Sequence, residues 1–216
     1  MKHIINHPKV EVLIAKTDEF IEKIGYTEHG RRHAKLVSTI AYQILKQLDF
    51  PTRDQKLAEI AGYLHDVGNA INRINHAQTG AVIVYDLLNE LNFNINDTVD
   101  VCGAIGNHHE DEGSPVNFIA AALIIADKSD VHKTRVRNVK DTLIDIHDRV
   151  NWAVEKSFVH VKPKEKIIAL ELTIDKKTSS IMEFLEIFMT RMKMCTKAAE
   201  FLECKFEVYI NKNKIL

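Results

Sequence analysis

The sequence contains little cysteine and no long apolar run, and both absences narrow the classes of protein to which it can belong. Its three cysteines, Cys102, Cys195 and Cys204, form no CxxC pair, which argues against a disulfide framework and against a cysteine zinc site. The longest apolar run, residues 118–126, is far too short to cross a bilayer. The N-terminus has neither an apolar core nor a small-residue cleavage site, so we expect no signal peptide and a reduced, cytoplasmic protein.

An excess of charge of either sign is also missing. The chain has 29 Lys and Arg against 30 Asp and Glu, a formal net charge of -1, so no overall field favours nucleic acid or an anionic membrane as a partner. Hydrophobic residues make up 45% and charged residues 27% of the 216 positions, which is typical of a globular protein. This length allows one full domain, or a domain with a smaller appendage.

Two kinds of hydrophobic periodicity divide the chain. Up to about residue 140 the apolar residues recur at helical spacing, which predicts a helical bundle in which Gly68 ends one helix as a left-handed cap and residues 118–130 form a buried central helix. From residue 141 we expect a helix to about residue 156, then segments with strand periodicity. The predicted fold is mostly α, with a helical domain over residues 1–140 and a small β-β-α-β subdomain over residues 141–216.

Histidine is the residue that the chain has in quantity, with eleven in all. Several histidines and aspartates lie on the apolar side of a predicted helix or at its end. Burying an imidazole or a carboxylate is costly unless the group is paired, and two divalent metal ions would pair with all of these groups together. The seven candidate ligands are His33, His65, Asp66, His76, His108, His109 and Asp127.

Each candidate has an ordinary alternative when it is taken alone. A single histidine on an apolar face is more often a hydrogen-bonded core residue than a ligand, and an adjacent pair such as His65-Asp66 is frequent by chance. The joint pattern favours a two-metal site, in which Asp66 can bridge two ions while His65 holds one. Imidazole and carboxylate without thiolate favour Mn, Fe, Co, Ni, Zn or Mg. Two such ions together can form a catalytic centre for phosphoryl transfer.

These residues resemble the H…HD…D pattern of the HD-domain superfamily of metal-dependent phosphohydrolases. The matching positions are His33, His65-Asp66 and Asp127, and the segments HAKLVSTIA, AGYLHDVGN and LIIADKSD resemble the three signature blocks of that family. The resemblance spans about residues 25–135. It implies an HD-type helical bundle and hydrolysis of a phosphate ester by a metal-bound hydroxide. Three further histidines fall where two-metal members such as the HD-GYP phosphodiesterases place ligands: His76, His108 and His109.

The sequence also departs from that pattern. The histidine pair is followed by EDEGSPVN without a Gly-Tyr-Pro element, which counts against specificity for cyclic di-GMP. The lysine that the family places shortly after the HD pair is Asn69 here. Two-metal members carry a glutamate one turn before the first histidine, and this position is His29, beside Glu28. The resemblance makes His29 a possible additional metal ligand, and a capping or surface histidine is the alternative.

Basic residues near the candidate ligands predict contacts with a phosphate group. Lys128 is the strongest candidate because it directly follows Asp127, and Arg73 and Arg135 are further candidates for binding phosphate. Asp130 could orient a bound water molecule or a ligand histidine. A solvated charged surface is the alternative for these side chains. The candidate catalytic residues are Asp66, Lys128 and Asp130.

The leading hypothesis is therefore a hydrolase that cleaves a phosphomonoester or phosphodiester of a small substrate, in particular a nucleotide. Two alternatives stay open: a signalling module that binds metal or nucleotide without hydrolysis, and a di-iron oxygenase on the same scaffold. The open sheet edge of the C-terminal subdomain predicts a homodimer contact, and no clear nucleic-acid surface or membrane segment is expected.

Overall fold

The computed structural model of the protein describes residues 2–137 and 145–216. Helices dominate the N-terminal part, as the periodicity predicts. The helices of the described residues are α1 (Lys2–Ile5), α2 (Pro8–Lys23), α3 (Arg31–Gln47), α4 (Thr52–Leu64), α5 (His76–Glu90), α6 (Ile95–Gly106), α7 (Phe118–Lys128), α8 (Ile146–Ala153) and α9 (Ile181–Phe201). None of them is long and apolar enough to span a membrane.

Helix α7 is the centre of the bundle. All eight residues from 119 to 126 are buried, because helices α3, α4, α6 and α9 pack around α7 and a helix with neighbours on every side must be apolar on every side. The helix begins with a capped turn, in which the side chain of Asn117 accepts a hydrogen bond from the Ala120 amide at 2.7 Å. The predicted buried central helix is confirmed, and its end presents Asp127 to the interior.

The C-terminal part is a small sheet with one long helix. Its strands are β1 (Val154–Lys162), β2 (Ile167–Ile174), β3 (Lys205–Ile210) and β4 (Asn213–Lys214), and they lie in this order in the sheet. Strands β1 and β2 are antiparallel, β2 and β3 are parallel, and β3 and β4 are antiparallel. Helix α9 connects the parallel pair, so the predicted β-β-α-β order is confirmed, with β4 as a short addition.

The C-terminal part shares its core with the helical part. Helix α9 packs against α7, and one cluster of buried apolar residues includes Ile124 of α7 and Phe184 of α9. The predicted boundary at residue 140 lies outside the described residues, so the division into two domains stays a prediction. Strand β1 forms one edge of the sheet, and the homodimer contact predicted for this subdomain also stays a prediction.

Two local predictions are wrong. The predicted helix from 141 to 156 has its first four residues outside the described part; α8 ends at Ala153, and strand β1 begins at Val154. Pairing of β1 with β2 outweighs the local helical preference there. Gly68 is not a left-handed cap, since it lies in the 3₁₀ turn Val67–Ala70 without a positive φ. Glycine is needed because a Cβ atom would lie 2.0 Å from the carbonyl oxygen of His76.

Candidate metal centre

Helix ends from across the bundle bring the candidate ligands to one place. His33 lies in the first turn of α3, His65 and Asp66 follow α4, and His76 is the first residue of α5. His108 and His109 follow α6, and Asp127 is in the last turn of α7. The close contact at Gly68 holds the turn after α4 against the start of α5. Four of the histidines are buried: His33, His65, His76 and His108.

The same hydrogen-bond arrangement fixes the ring of each of these four histidines. In every case Nδ1 lies within hydrogen-bond distance of an oxygen that can only accept, so Nδ1 carries the proton and Nε2 keeps its lone pair. Metal-binding histidines are oriented in this way by their second nitrogen. The four bonds are His33 Nδ1 to Asp130 Oδ2 at 2.7 Å, His65 Nδ1 to Gly62 O at 2.9 Å, His76 Nδ1 to Arg73 O at 3.0 Å, and His108 Nδ1 to Ile105 O at 2.6 Å.

Asp66 lies between two groups of these lone pairs. Its Oδ2 atom is 3.5 Å from Nε2 of His33 and 3.3 Å from Nε2 of His65. Its Oδ1 atom is 3.5 Å from Nε2 of His76 and 3.9 Å from Nε2 of His108. Each oxygen of this one carboxylate therefore faces a separate pair of histidines.

Asp127 completes the first of the two groups. Its Oδ1 atom is 3.4 Å from Nε2 of His33 and 3.6 Å from Nε2 of His65. In two sets of three residues, the potential ligand atoms all lie within 4.8 Å of one another: His33, His65 and Asp127, and His65, Asp66 and His108. Both sets offer only imidazole and carboxylate, the donors that suit the divalent ions expected from the sequence.

The protein alone leaves this cluster electrostatically unbalanced. Oδ2 of Asp66 is buried and has no hydrogen-bond donor among the described residues, and Nε2 of His33 lies 3.2 Å from Nε2 of His65. Two lone pairs that face each other and a bare carboxylate oxygen require a positive charge between them. The donor set therefore fits divalent metal ions, and the number of ions and the ligands of each stay predictions.

The pKa shifts show the same demand for positive charge. Burial and the nearby Arg135 both oppose a charged His33 ring, yet the three neighbouring carboxylates of Asp127, Asp130 and Asp66 raise the pKa of His33 to about 10. Burial likewise opposes a charged His65, but Asp66 and Asp127 raise its pKa to about 9. Without metal, these histidine rings would bind protons. Metal ions would bind the same nitrogen atoms only after those protons are released.

A further layer of charged groups supports His33. Asp130, which accepts the Nδ1 proton of His33, is buried and also accepts from Arg32 through both of its oxygens, at 3.2 and 2.8 Å. Burial alone would raise the pKa of Asp130, but His33 and Arg135 hold it well below its usual range. Asp130 thus contacts one of the candidate ligands directly, and its role in orienting that histidine stays a prediction.

His29 and His109 lie beside the compact groups of ligand atoms. The ring of His29 is 5.5 Å from that of His33, and its Nδ1 is 2.6 Å from the carbonyl oxygen of Thr27. The ring of His109 is 4.9 Å from that of His76, and both His29 and His109 line the cavity in front of the cluster. Ligation of metal by either residue stays a prediction.

The three basic residues predicted to bind phosphate have different surroundings. Lys128 is buried, with Nζ 2.7 Å from a carboxylate oxygen of both Asp127 and Glu110. Three N–H groups of Arg135 donate to the carbonyl oxygens of Glu28 and Asp130. All three line the cavity. Arg73 lies beside a candidate histidine ligand, with Nη1 3.4 Å from Nε2 of His76. Their roles with phosphate stay predictions.

The cavity in front of the cluster has a volume of about 410 Å³ and walls from both parts of the chain. Sequence reasoning missed two charged residues there, Glu110 and Arg191, which form an ion pair at 2.9 Å. Glu110 directly follows the histidine pair, and that adjacency could have marked it. Arg191 lies in an amphipathic helix far along the chain, where no spacing distinguishes it from a surface arginine.

Comparison with known proteins identifies the family. The model of the HD domain matches residues 30–153, more than half of the chain. The chain belongs to the HD-domain family of metal-dependent hydrolases. Among solved structures, a protein described as a predicted HD superfamily hydrolase from an uncultured Thermotogales bacterium is 21% identical, with a TM-score of 0.48 over 61% of this chain and 72% of that one. No curated protein gives a significant match.

Proposed function

We propose that the protein is a two-metal phosphohydrolase that cleaves a phosphomonoester or phosphodiester of a small substrate, in particular a nucleotide. The observation that carries the proposal is the position of Asp66, whose two oxygens face two different pairs of histidine Nε2 atoms at 3.3–3.9 Å. A site for one ion has no need of a carboxylate shared in this way. Family membership supports hydrolysis, and the ligand geometry supports two ions.

The metals supply, when bound, a lowered pKa for a water molecule and neutralisation of charge on the phosphoryl oxygens. The protein residues then have separable tasks. His33, His65, His76, His108, Asp66 and Asp127 hold the ions, and Asp130 orients His33. Arg73 donates from beside His76 and, by its position, would bind an oxygen of the phosphate that reacts. Lys128 keeps Asp127 ionised, since burial would raise the pKa of Asp127 but Lys128 lowers it.

The cavity size supports a small substrate. A volume of about 410 Å³ is at the lower end of the range of ~300–1,000 Å³ found for small-molecule sites. It accommodates one mononucleotide-sized molecule more readily than a cyclic dinucleotide. This agrees with the absence of the Gly-Tyr-Pro element from the sequence.

The test is phosphate release by protein loaded with Mn, Fe, Co, Ni, Zn or Mg, assayed on nucleoside phosphates, cyclic dinucleotides and simple phosphomonoesters. Asp66→Asn should slow any hydrolysis by about a thousandfold or more, because losing metal assistance removes several kcal/mol of transition-state stabilisation. Asp86→Asn, at an exposed position of α5, makes the same chemical change outside the site and should leave the rate unchanged. Turnover by Asp66→Asn equal to that of the wild type would refute the proposal.

A further inference from the structure

A chain of alternating charges connects the candidate ligands with the C-terminal helix. Lys128 Nζ is 2.7 Å from Asp127 Oδ2 and 2.7 Å from Glu110 Oε2. The other oxygen of Glu110, Oε1, accepts from Nε of Arg191 at 2.9 Å. Arg191 belongs to α9, so the C-terminal part places a guanidinium group in the wall of the same cavity that the ligands line.

The guanidinium of Arg191 is held in place but keeps most of its donors. Its Cζ atom lies 4.8 Å from the centre of the Phe188 ring, and its Nε atom is committed to Glu110. Neither Nη1 nor Nη2 has a hydrogen-bond partner among residues 2–137 and 145–216, and the side chain is 30% exposed. A planar guanidinium group that is held by an aromatic ring and one ion pair can donate two parallel hydrogen bonds to a carboxylate or phosphate group.

The other cations of the cavity are used differently. Lys128 is bound by two carboxylates, and Arg135 donates to backbone carbonyl groups. Arg73 lies beside His76, at the ligands themselves. Arg191 is separated from Asp127 by Glu110 and Lys128, and among the described residues it contacts none of the candidate ligands.

We propose that Arg191 binds a second anionic group of the substrate, a phosphate or a carboxylate that does not react. The substrate class is then a small phosphate ester that carries another anion. Glu110 is a positioning residue, because it holds Arg191 through Nε and leaves Nη1 and Nη2 directed to the ligand. This inference rests on the proposed phosphohydrolase function, and it makes α9 a part of the substrate site.

Two matched series of non-hydrolysable ligands test this role. Alkylphosphonates present one anion, and ω-carboxyalkylphosphonates with chains of two to six carbons add a carboxylate at increasing reach. Calorimetric titration of the Mn-loaded wild type should show one chain length at which the carboxylate tightens binding by about tenfold to a hundredfold, the effect of a hydrogen-bonded charge pair.

The variants then assign that gain to Arg191. Arg191→Gln should remove the gain while the affinity for the plain alkylphosphonate stays unchanged, and Arg191→Lys should retain a part of it. Lys193→Gln removes a positive charge from an exposed position of the same helix and should keep the full gain. Metal content and the unfolding temperature of each variant show whether the fold and the site are intact.

The outcomes separate this inference from the proposed function. A gain that persists in Arg191→Gln, or no gain in the wild type at any chain length, overturns the role of Arg191 and leaves the phosphohydrolase proposal standing if phosphate esters are hydrolysed. Phosphonate binding without hydrolysis of any ester refutes the proposed function, and the carboxylate gain still shows whether Arg191 binds an anion. No phosphonate binding at all overturns both.

Discussion

The two walls of the cavity differ in how completely their polar atoms are paired. On the wall of candidate ligands, the Nδ1 atom of each of the four buried histidines donates to an oxygen, which leaves Nε2 as the nitrogen that could bind a metal ion. On the wall from α9, Arg191 lines the cavity, and its two terminal nitrogens have no hydrogen-bond partner in the part of the chain that the structure describes. The difference suggests that the ligand wall determines which ions bind and the α9 wall contributes to the choice of substrate.

The largest effect is expected from Gly68→Ala, which should damage the ligand wall by steric conflict alone. A Cβ atom would lie 2.0 Å from the His76 carbonyl oxygen and 2.6 Å from the Gly80 amide nitrogen, so backbone must move. We expect a loss of about 3 kcal/mol or more in the free energy of unfolding, together with weaker metal binding through His76. Urea unfolding and metal titration measure both.

A matched glycine serves as the control. At Gly106 a Cβ atom would lie 3.6 Å from the Cβ of Ala81, an ordinary contact, so Gly106→Ala should leave the free energy of unfolding within about 0.5 kcal/mol. Equal stability of the two variants would show that the close approach of the turn after α4 to the start of α5 does not hold the site together.

Asp130→Asn should have a smaller effect that is confined to metal binding. The variant removes the charge that orients His33 through Nδ1 and that pairs with Arg32. Loss of such a supporting carboxylate weakens metal affinity by about tenfold to a hundredfold. Competition with a chelator measures the affinity, with Asp86→Asn as the control. An unchanged affinity would mean that His33 is oriented by its packing alone.

The smallest effect is expected from Ser180→Ala, which changes the α9 wall without touching the ligands. Ser180 begins α9 with a capping box, in which its side chain accepts from the Glu183 amide and Glu183 accepts from the Ser180 amide. Loss of the cap should cost about 1 kcal/mol in the free energy of unfolding, with metal content unchanged. A simultaneous loss of metal would show that the two walls are not separable.

The sequence singled out the candidate ligands because these residues are distinctive in kind and placement. Histidines and an aspartate on apolar helix faces, such as His33 and Asp127, are costly to bury unless a cation pairs with them. The helical periodicity located the helices that present these side chains. The geometry of Gly68 was not predictable, since the need for glycine arises from the His76 carbonyl, which approaches only in the folded chain.

The contribution of α9 to the cavity could not be predicted from the sequence for a related reason. Nothing in the sequence distinguishes Arg191 from a surface arginine. Only the packing of α9 against α7 brings it to Glu110 and the cavity. In the same way, strand β1 starts at Val154 because β2 is there to pair with it, although the local sequence favoured a longer helix. Long-range packing, which no spacing rule contains, determines both features.

The central claim is that Asp66 is shared between two metal ions, and metal content measured by mass spectrometry tests it most directly. Protein purified without a metal-affinity tag, then loaded and desalted, should contain about two ions per chain. His108→Ala should reduce this number to about one, because His108 belongs to the ligands on the Oδ1 side of Asp66. Asp66→Asn should lower the occupancy of both metal positions. One ion per chain in the wild type, unchanged in His108→Ala, would contradict the claim.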